Sequence, residues 1–291
     1  MGKILVTGGT GNLGGLTIDH LLNKKDIPAN EIIALVRDKE RAHHLSTKGV
    51  ELRVGSYDDL DSLKKAFNKV EKLLVISSPS LDNTLRLQQL FNVVMAAKSS
   101  QVGHIFFVGL ADAEKRLFGL EDVDIAIEHM IRALNIPFTF LRNAVYLDEI
   151  SFDVNSAIKN GELTSSTKGN AFNYVLRSDL ALANATVLSE QGHENKIYEL
   201  VSPTLITYPE IASILSDELG KEISYREATS EETIDSLIKS GINSEAADLL
   251  VNSFQRYIAE GQFRYTSNNL VNLIGEQVTS TKQAIASLIK Q

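Results

Sequence analysis

Short apolar runs alternate with longer amphipathic segments through the first half of the chain. The runs are rich in β-branched residues, as buried strands are, and the segments between them have the helical period. This alternation predicts a parallel sheet covered by helices on both faces. The predicted strands span residues 3–7, 31–36, 51–54, 72–76, 104–108 and 138–141, and the predicted helices span residues 12–23, 39–48, 60–68, 84–99 and 121–134.

The predicted helix over residues 84–99 carries an apolar stripe at helical spacing. We expect this stripe to pack in the core. It consists of Leu87, Leu90, Phe91, Val94 and Ala97.

The pattern becomes less regular beyond Tyr146. Residues 168–170 predict a turn between short strands, and residues 196–201 predict a further strand. Helices are predicted over residues 178–189, 208–220 and 281–289.

A glycine-rich turn joins the first predicted strand to the first predicted helix. Gly8, Gly11 and Gly14 follow the spacing G-x-x-G-x-x-G, and no Gly-Lys-Ser/Thr follows, which excludes a Walker A loop. In a dinucleotide-binding turn, these glycines permit the tight turn, the approach of a pyrophosphate and close helix packing. The N–H groups at Asn12 and Leu13 would then face the anion. The alternative is a flexible connection without a ligand.

The strand–turn–helix context of the glycines favours a Rossmann-type, doubly wound parallel sheet with a smaller C-terminal α/β lobe. We expect an NAD(P)-binding domain over residues 1–150 and a smaller substrate lobe over residues 151–291. Residues 178–201, approximately, are expected to return to the first domain.

The end of the second predicted strand bears on the choice of dinucleotide. Arg37 stands at the tip, and Lys39 and Arg41 follow closely. A guanidinium matches the geometry of a 2′-phosphate, so the pattern favours NADP(H) over NAD(H). Asp38 has two interpretations, since it could contact the ribose or cap the next helix.

Composition narrows the classes of partner. The chain has no cysteine, so disulfides and thiolate metal sites are excluded, and the six histidines show no metal-ligand spacing. A net charge of −8 disfavours nucleic acid and anionic membranes. We expect no signal peptide, because a single lysine and only a short apolar stretch open the sequence, and no apolar run is long enough to span a bilayer. We expect a cytoplasmic protein that binds no metal, nucleic acid or membrane.

Several motifs together resemble a known family. They are TGGTGNLG at 7–14, ALVRD at 34–38, KLLVISS at 72–78, LRN at 141–143, RSDLA at 177–181 and GHENKIYEL at 192–200. The chain resembles atypical short-chain dehydrogenases/reductases of the NmrA-like branch and is similar to bacterial NAD(P)H:quinone oxidoreductases over nearly its whole length.

The resemblance implies a set of cofactor-binding residues. They are Gly8, Thr10, Gly11, Asn12 and Leu13 at the turn, Arg37 at the 2′-phosphate, Ser77 and Ser78 beside the nicotinamide-side ribose, and Asn143 in a segment that borders nicotinamide and substrate. Tyr146 ends that segment and is the weak candidate for a substrate contact, with pocket lining as the simpler role. Where relatives often carry an aspartate near the adenine, this chain has Ser56.

Catalysis departs from the usual pattern of short-chain dehydrogenases. None of the eight tyrosines has a lysine four residues later, so the Tyr-x-x-x-Lys acid–base pair is absent and no catalytic residue is assigned. Reducing a ketone builds a basic alkoxide that needs a positioned acid, whereas reducing a quinone builds a hydroquinone anion that water can protonate. The sequence therefore favours NADPH-dependent hydride transfer to a quinone-type acceptor.

Two other functions stay open. One is an NADP-binding redox sensor or regulator of the NmrA-like kind, and the other is a nucleotide-sugar epimerase or dehydratase-like protein. The sequence leaves the acceptor and the oligomeric state, monomer or dimer, undetermined.

Overall fold

The computed structural model describes residues 2–289 and contains a parallel sheet of seven strands in the order β3-β2-β1-β4-β5-β6-β8. These strands are β1 Lys3–Val6, β2 Ile32–Val36, β3 Glu51–Val54, β4 Val70–Ile76, β5 His104–Leu110, β6 Phe138–Asn143 and β8 Lys196–Leu200. The strand order reverses between β1 and β4, because β2 and β3 lie on one side of β1 and the later strands lie on the other. The predicted doubly wound Rossmann-type sheet is confirmed.

Helices cover both faces of this sheet. They are α1 Asn12–Asn23, α2 His43–Ser46, α3 Leu60–Ala66, α4 Asn83–Ser99, α5 Glu121–Ala133 and α7 Arg177–Ser189. On one face, α3, α4 and α5 pack on alternate strand residues such as Leu5, Leu73 and Phe107 in one apolar cluster. On the other face α1 packs against α7, and Lys72 donates to the carbonyl oxygens of Leu188 and Glu190 near the end of α7.

The apolar stripe predicted for α4 is partly wrong. Leu90, Val94 and Ala97 are buried as expected, but Leu87 and Phe91 are each 43% exposed. Residues 87 and 91 lie on the outer side of the stripe. The inward face also contains the polar residues Arg86 and Asn92. Both can be buried because their side chains donate to backbone carbonyls of neighbouring loops.

The long helix predicted over residues 39–48 is also wrong. That segment forms a short 3₁₀ turn, Glu40–Ala42, followed by the single helical turn of α2. Only Ala42 and Leu45 are buried there, and so narrow a stripe stabilises no longer helix.

The chain divides into two compact units. Among the described residues, the first contains 2–143, Arg177–Leu200 and Asn272–Gly275, and the second contains Ala144–Leu176, Val201–Val271 and 276–289.

The second unit has a two-stranded parallel sheet, formed by β7 Glu162–Ser165 and β9 Ser224–Glu227, and several helices. The helices are α6 Ser151–Asn160, α8 Tyr208–Leu219, α9 Ser230–Lys239, α10 Ser244–Leu249, α11 Arg256–Ala259 and α13 Thr281–Leu288, with α12 Asn269–Ile274 shared between the units. The π-helical turn Leu250–Gln255 joins α10 to α11. Across residues 2–289, no helix has both the length and the apolar character that crossing a bilayer requires.

Candidate functional site

A cleft of about 770 Å³ opens at the carboxyl ends of β1, β2 and β4. This is where the strand order of the sheet reverses, which is the usual ligand position in an open α/β sheet. The lining combines the glycine turn, the last residues of β2 and β4, the residues that follow β2, β3 and β4, and one residue of α4. Its members are Gly8, Thr10, Gly11, Asn12, Leu13, Gly14, Leu35, Val36, Arg37, Asp38, Arg41, Gly55, Ser56, Tyr57, Asp58, Ile76, Ser77, Ser78, Pro79, Ser80 and Gln89.

The glycine turn is built so closely that side chains are excluded. Gly8 has a φ of +59°, in the left-handed region that favours glycine. A Cβ on Gly14 would lie 2.3 Å from the carbonyl oxygen of Gly8, far inside a van der Waals contact. Gly11 donates its N–H to that same oxygen at 2.8 Å. The turn therefore holds the start of α1 close to the end of β1.

The first turn of α1 differs from those of α3 and α4. Asp59 and Asp82 cap α3 and α4 by accepting backbone N–H groups, whereas Gly11, which precedes α1, offers no side chain for this purpose. The N-terminal N–H groups of α1 thus stand beside exposed Thr10, Gly11 and Asn12 without a side-chain cap. Such an end suits a bound anion, because unpaired N–H groups and the helix dipole both favour negative charge.

The end of β2 places two cations at the cleft. Arg37 and Arg41 are exposed and both line it. The carboxylate of Asp38 accepts the N–H of Glu40 at 2.9 Å, at the start of the 3₁₀ turn. Asp38 therefore makes a local bond before the 3₁₀ turn without capping a helix, and it also borders the cleft.

Tyr57 anchors the loop after β3 across the base of the cleft. Its phenol donates to the carbonyl oxygen of Ile76 at 2.8 Å and lies 2.6 Å from the hydroxyl of Thr7. That hydroxyl accepts the N–H of Ile76 at 2.9 Å. Burial raises the pKa of the Tyr57 phenol above its ordinary value, so this tyrosine is poorly suited to exchange protons.

Gln89 on α4 ties two walls of the cleft together. Its amide nitrogen donates to the Asp58 carboxylate at 2.8 Å, and its amide oxygen accepts from the Ser78 hydroxyl. A carboxylate only accepts, so this bond also fixes which end of the amide faces Asp58. Sequence reasoning gave Gln89 no role, since nothing in a single helical glutamine indicates a partner 31 residues earlier in the chain.

Ser77 and Ser78 follow β4 and border the cleft. Ser77 is half-buried, whereas Ser78 is only 2% exposed, and its hydroxyl turns to Gln89. Arg86 donates to the Ser78 carbonyl and to the Ser77 hydroxyl, and Asp124 accepts from that hydroxyl.

Two of the predicted site residues lie outside the cleft lining. Asn143 is buried at the end of β6, where its carbonyl oxygen accepts the N–H of Ala111 at 2.9 Å. Tyr146 belongs to the second unit, where its backbone pairs with Val175. The other eight come together in the lining, namely Gly8, Thr10, Gly11, Asn12, Leu13, Arg37, Ser77 and Ser78.

A sequence model of the NmrA-like family matches residues 1–280. The chain belongs to the NmrA-like family. Among curated proteins, quinone oxidoreductase 2 of Escherichia coli (strain K12) is 33% identical to this NmrA-like chain over 285 residues, which cover 98% of each chain.

Solved structures resemble this NmrA-like chain along its length. The triphenylmethane reductase of Citrobacter sp., complexed with NADP(H), has a TM-score of 0.92 and 41% identity, and the match covers 98% of this chain and 99% of that one. The NADPH-dependent quinone oxidoreductase QOR2 of Escherichia coli, complexed with NADPH, has a TM-score of 0.86 and 32% identity over the same shares.

Proposed function

We propose that this protein is an NADPH-dependent oxidoreductase that transfers hydride to a quinone-type acceptor. The observation that carries the proposal is the cleft at the strand reversal, with the uncapped start of α1 on one side and Arg37 and Arg41 at the tip of β2. Both features suit a phosphorylated dinucleotide, and the similar proteins named for NADP(H) and quinone support the same activity.

The cleft fits such a cofactor through its backbone. The first turn of α1 can receive a pyrophosphate because no side chain caps its N–H groups, and a Cβ on Gly14 would clash with the Gly8 carbonyl oxygen. In this proposal Gly8, Thr10, Gly11, Asn12 and Leu13 hold the pyrophosphate. Arg37 pairs with the 2′-phosphate, and Ser77 and Ser78 stand beside the nicotinamide-side ribose.

The chemistry asks for orientation more than for acid catalysis. When bound, the nicotinamide supplies the hydride, and a quinone that takes it becomes a hydroquinone anion that water can protonate. The chain lacks a lysine four residues after any tyrosine, and Tyr57 is held by Ile76 and Thr7. We therefore assign the protein the tasks of binding and aligning both reactants, without a Tyr-x-x-x-Lys pair.

The remaining assignments belong to the same proposal. Asn143 and Tyr146 border the nicotinamide and the acceptor, and the partner is a small molecule. A cytoplasmic location agrees with a chain that contains no cysteine. The protein is a monomer or a dimer.

Cofactor titration followed by turnover measurements tests the function. We expect calorimetry to give tighter binding for NADPH than for NADH, and we expect NADPH oxidation when a small benzoquinone is added. A cationic triphenylmethane dye is the second acceptor to be measured, because its central carbon also accepts hydride without a proton. Tight NADPH binding with no turnover of either acceptor would contradict the enzyme and favour an NADP-binding regulator.

A further inference from the structure

A buried ion pair lies directly behind the serines that follow β4. Arg86 on α4 and Asp124 on α5 are 5% and 1% exposed, and Arg86 Nη2 lies 2.9 Å from Asp124 Oδ1. Neither residue is part of the cleft lining. Burying two charges has a large desolvation cost, so the pair need not stabilise the fold more than apolar residues would. Its contacts with Ser77 and Ser78 indicate a role at the cleft.

The pair fixes the direction of the Ser77 hydroxyl. Arg86 Nη2 donates to Ser77 Oγ at 2.6 Å, and Ser77 Oγ donates to Asp124 Oδ1 at 3.0 Å. Of these two partners only the carboxylate can accept, because a guanidinium has no acceptor, so the hydroxyl proton points toward Asp124. Ser77, which lines the cleft, therefore has a lone pair left for a ligand but no proton.

Ser78 is held in a corresponding way. Its carbonyl oxygen accepts from Arg86 Nη1, and its hydroxyl proton goes to Gln89. The hydroxyl protons of Ser77 and Ser78 are thus both directed to other side chains, those of Asp124 and Gln89.

We propose that Arg86 and Asp124 are positioning residues of the cofactor cleft, which fix Ser77 as a pure hydrogen-bond acceptor toward the bound ligand. The inference rests on the proposed function. The ligand group that fits here is itself a donor, such as a ribose hydroxyl or an amide N–H. The Ser77 hydroxyl has no proton for a phosphate oxygen, which only accepts, so the arrangement favours a ribose over a phosphate beside Ser77.

The test is a double-mutant cycle on NADPH binding, measured by calorimetry. Asp124→Ala removes the acceptor of the Ser77 hydroxyl proton and frees that proton, whereas Ser77→Ala removes the hydroxyl oxygen that accepts from the ligand. We expect each single variant to lower NADPH affinity about fivefold to tenfold, the effect of one hydrogen bond. The double variant should be no weaker than the weaker single variant, because Asp124 acts through Ser77.

Thr139→Val is the matched control. Thr139 is fully buried on β6 near its amino end, far along the strand from the cleft, and bonds to His104 and to the carbonyl oxygen of His193. Its loss should lower the unfolding temperature and leave NADPH affinity unchanged. Ser77→Thr, which keeps the hydroxyl, should recover the affinity that alanine loses.

Three results would overturn the inference. These are additive losses in the cycle, an Asp124→Ala variant that behaves like Thr139→Val, and unchanged NADPH affinity in Arg86→Lys. The lysine variant keeps the charge but cannot bond to both serines as the guanidinium does, so it decides the matter if Asp124→Ala does not fold. Failure of the unmodified protein to bind NADPH would overturn the proposed function as well, whereas normal binding with these variant results would overturn this inference alone.

Discussion

Arg37 and Asp38 are adjacent at the end of β2, and of the two only the Asp38 side chain makes a hydrogen bond within residues 2–289. The Asp38 carboxylate bonds to the N–H of Glu40, while Arg37 is exposed at the edge of the cleft. Local hydrogen bonding thus separates a residue that shapes the loop from one that can reach a ligand. The two bring opposite charges to the same place, so their individual effects on NADPH and NADH can be separated by mutation.

Arg37→Ala should weaken NADPH binding by about 1.5–3 kcal/mol, the value of a hydrogen bond to a charged group, and leave NADH nearly unaffected. The reason is that only NADPH carries the 2′-phosphate. Calorimetric titration with both cofactors measures the difference. Lys39→Ala is the control, since Lys39 is an exposed neighbouring cation outside the cleft lining, and equal losses for both cofactors would refute the role of Arg37.

Tyr146→Phe should retain nearly all turnover of a quinone, because the proposed chemistry needs no phenolic acid. Tyr146→Ala should chiefly raise KM, through the loss of an aromatic surface for the acceptor. Steady-state kinetics at saturating NADPH distinguish the two effects. Loss of a general acid would instead lower kcat about 10²–10⁴-fold, and such a fall in the phenylalanine variant would identify Tyr146 as the acid.

At the scale of elements, the sequence predicted what depends on local spacing. The spacing of apolar residues that marks each strand and helix involves only residues close in sequence, so the predicted sheet and α1 are correct. The face of α4 was not, because apolar residues occur on two sides of that helix. Arg86 and Asn92 turn inward to meet loop carbonyls, and those pairings join distant parts of the chain.

The contact between α1 and the glycine turn can be tested with two neighbouring glycines. A Cβ at Gly14 would lie 2.3 Å from the Gly8 carbonyl oxygen, whereas one at Gly15 would lie 3.6 Å from the Gly9 oxygen, an ordinary contact. Gly14→Ala should therefore destabilise the protein by about 1–3 kcal/mol and weaken NADPH and NADH alike.

Gly15→Ala should be neutral or stabilise by up to about 1 kcal/mol, because alanine is the better helix former. Urea unfolding and cofactor titration of both variants provide the comparison. A Gly14→Ala protein as stable as Gly15→Ala would show that α1 can move away from β1 without cost.

At the scale of the whole molecule, stability should depend on a buried carboxyl of the second unit. Asp153 on α6 is 2% exposed, and its oxygens accept from Tyr208 at 3.0 Å and Gln255 at 3.2 Å. Burial raises the pKa of Asp153 to about 7. The folded state therefore holds this proton more tightly than the unfolded state does, and the stabilisation is complete below the unfolded pKa of ~3.9 and is lost as pH rises to about 7.

Asp153→Asn should remove this contribution, since an amide does not titrate in this range. Urea unfolding at about pH 5 and about pH 8 should show the variant gaining stability relative to the unmodified protein at the higher pH. Parallel pH profiles for the two proteins would mean that Asp153 keeps an ordinary pKa.

Some residues of the candidate site could be predicted from short local motifs, and others could not because they depend on contacts between distant parts of the chain. The glycine turn and Arg37 lie in single short motifs, and the sequence identified them for that reason. Gln89, Asp124 and the anchoring of Tyr57 depend on pairs of residues that are remote in the chain. Only the folded structure brings such pairs together, and no residue spacing encodes them.

The first unit is built from separate stretches of the chain, so the ribosome synthesises its parts at different times. A nascent chain of about 150 residues has all the cleft-lining segments but lacks α7 and β8, which come from Arg177–Leu200. Until they emerge, the apolar side of α1 has no helix beside it and β6 presents an unpaired edge, the kind of surface that invites aggregation. During synthesis the cofactor-binding unit is therefore nearly complete while these two surfaces are still exposed. Molecular chaperones would bind the nascent chain at this stage.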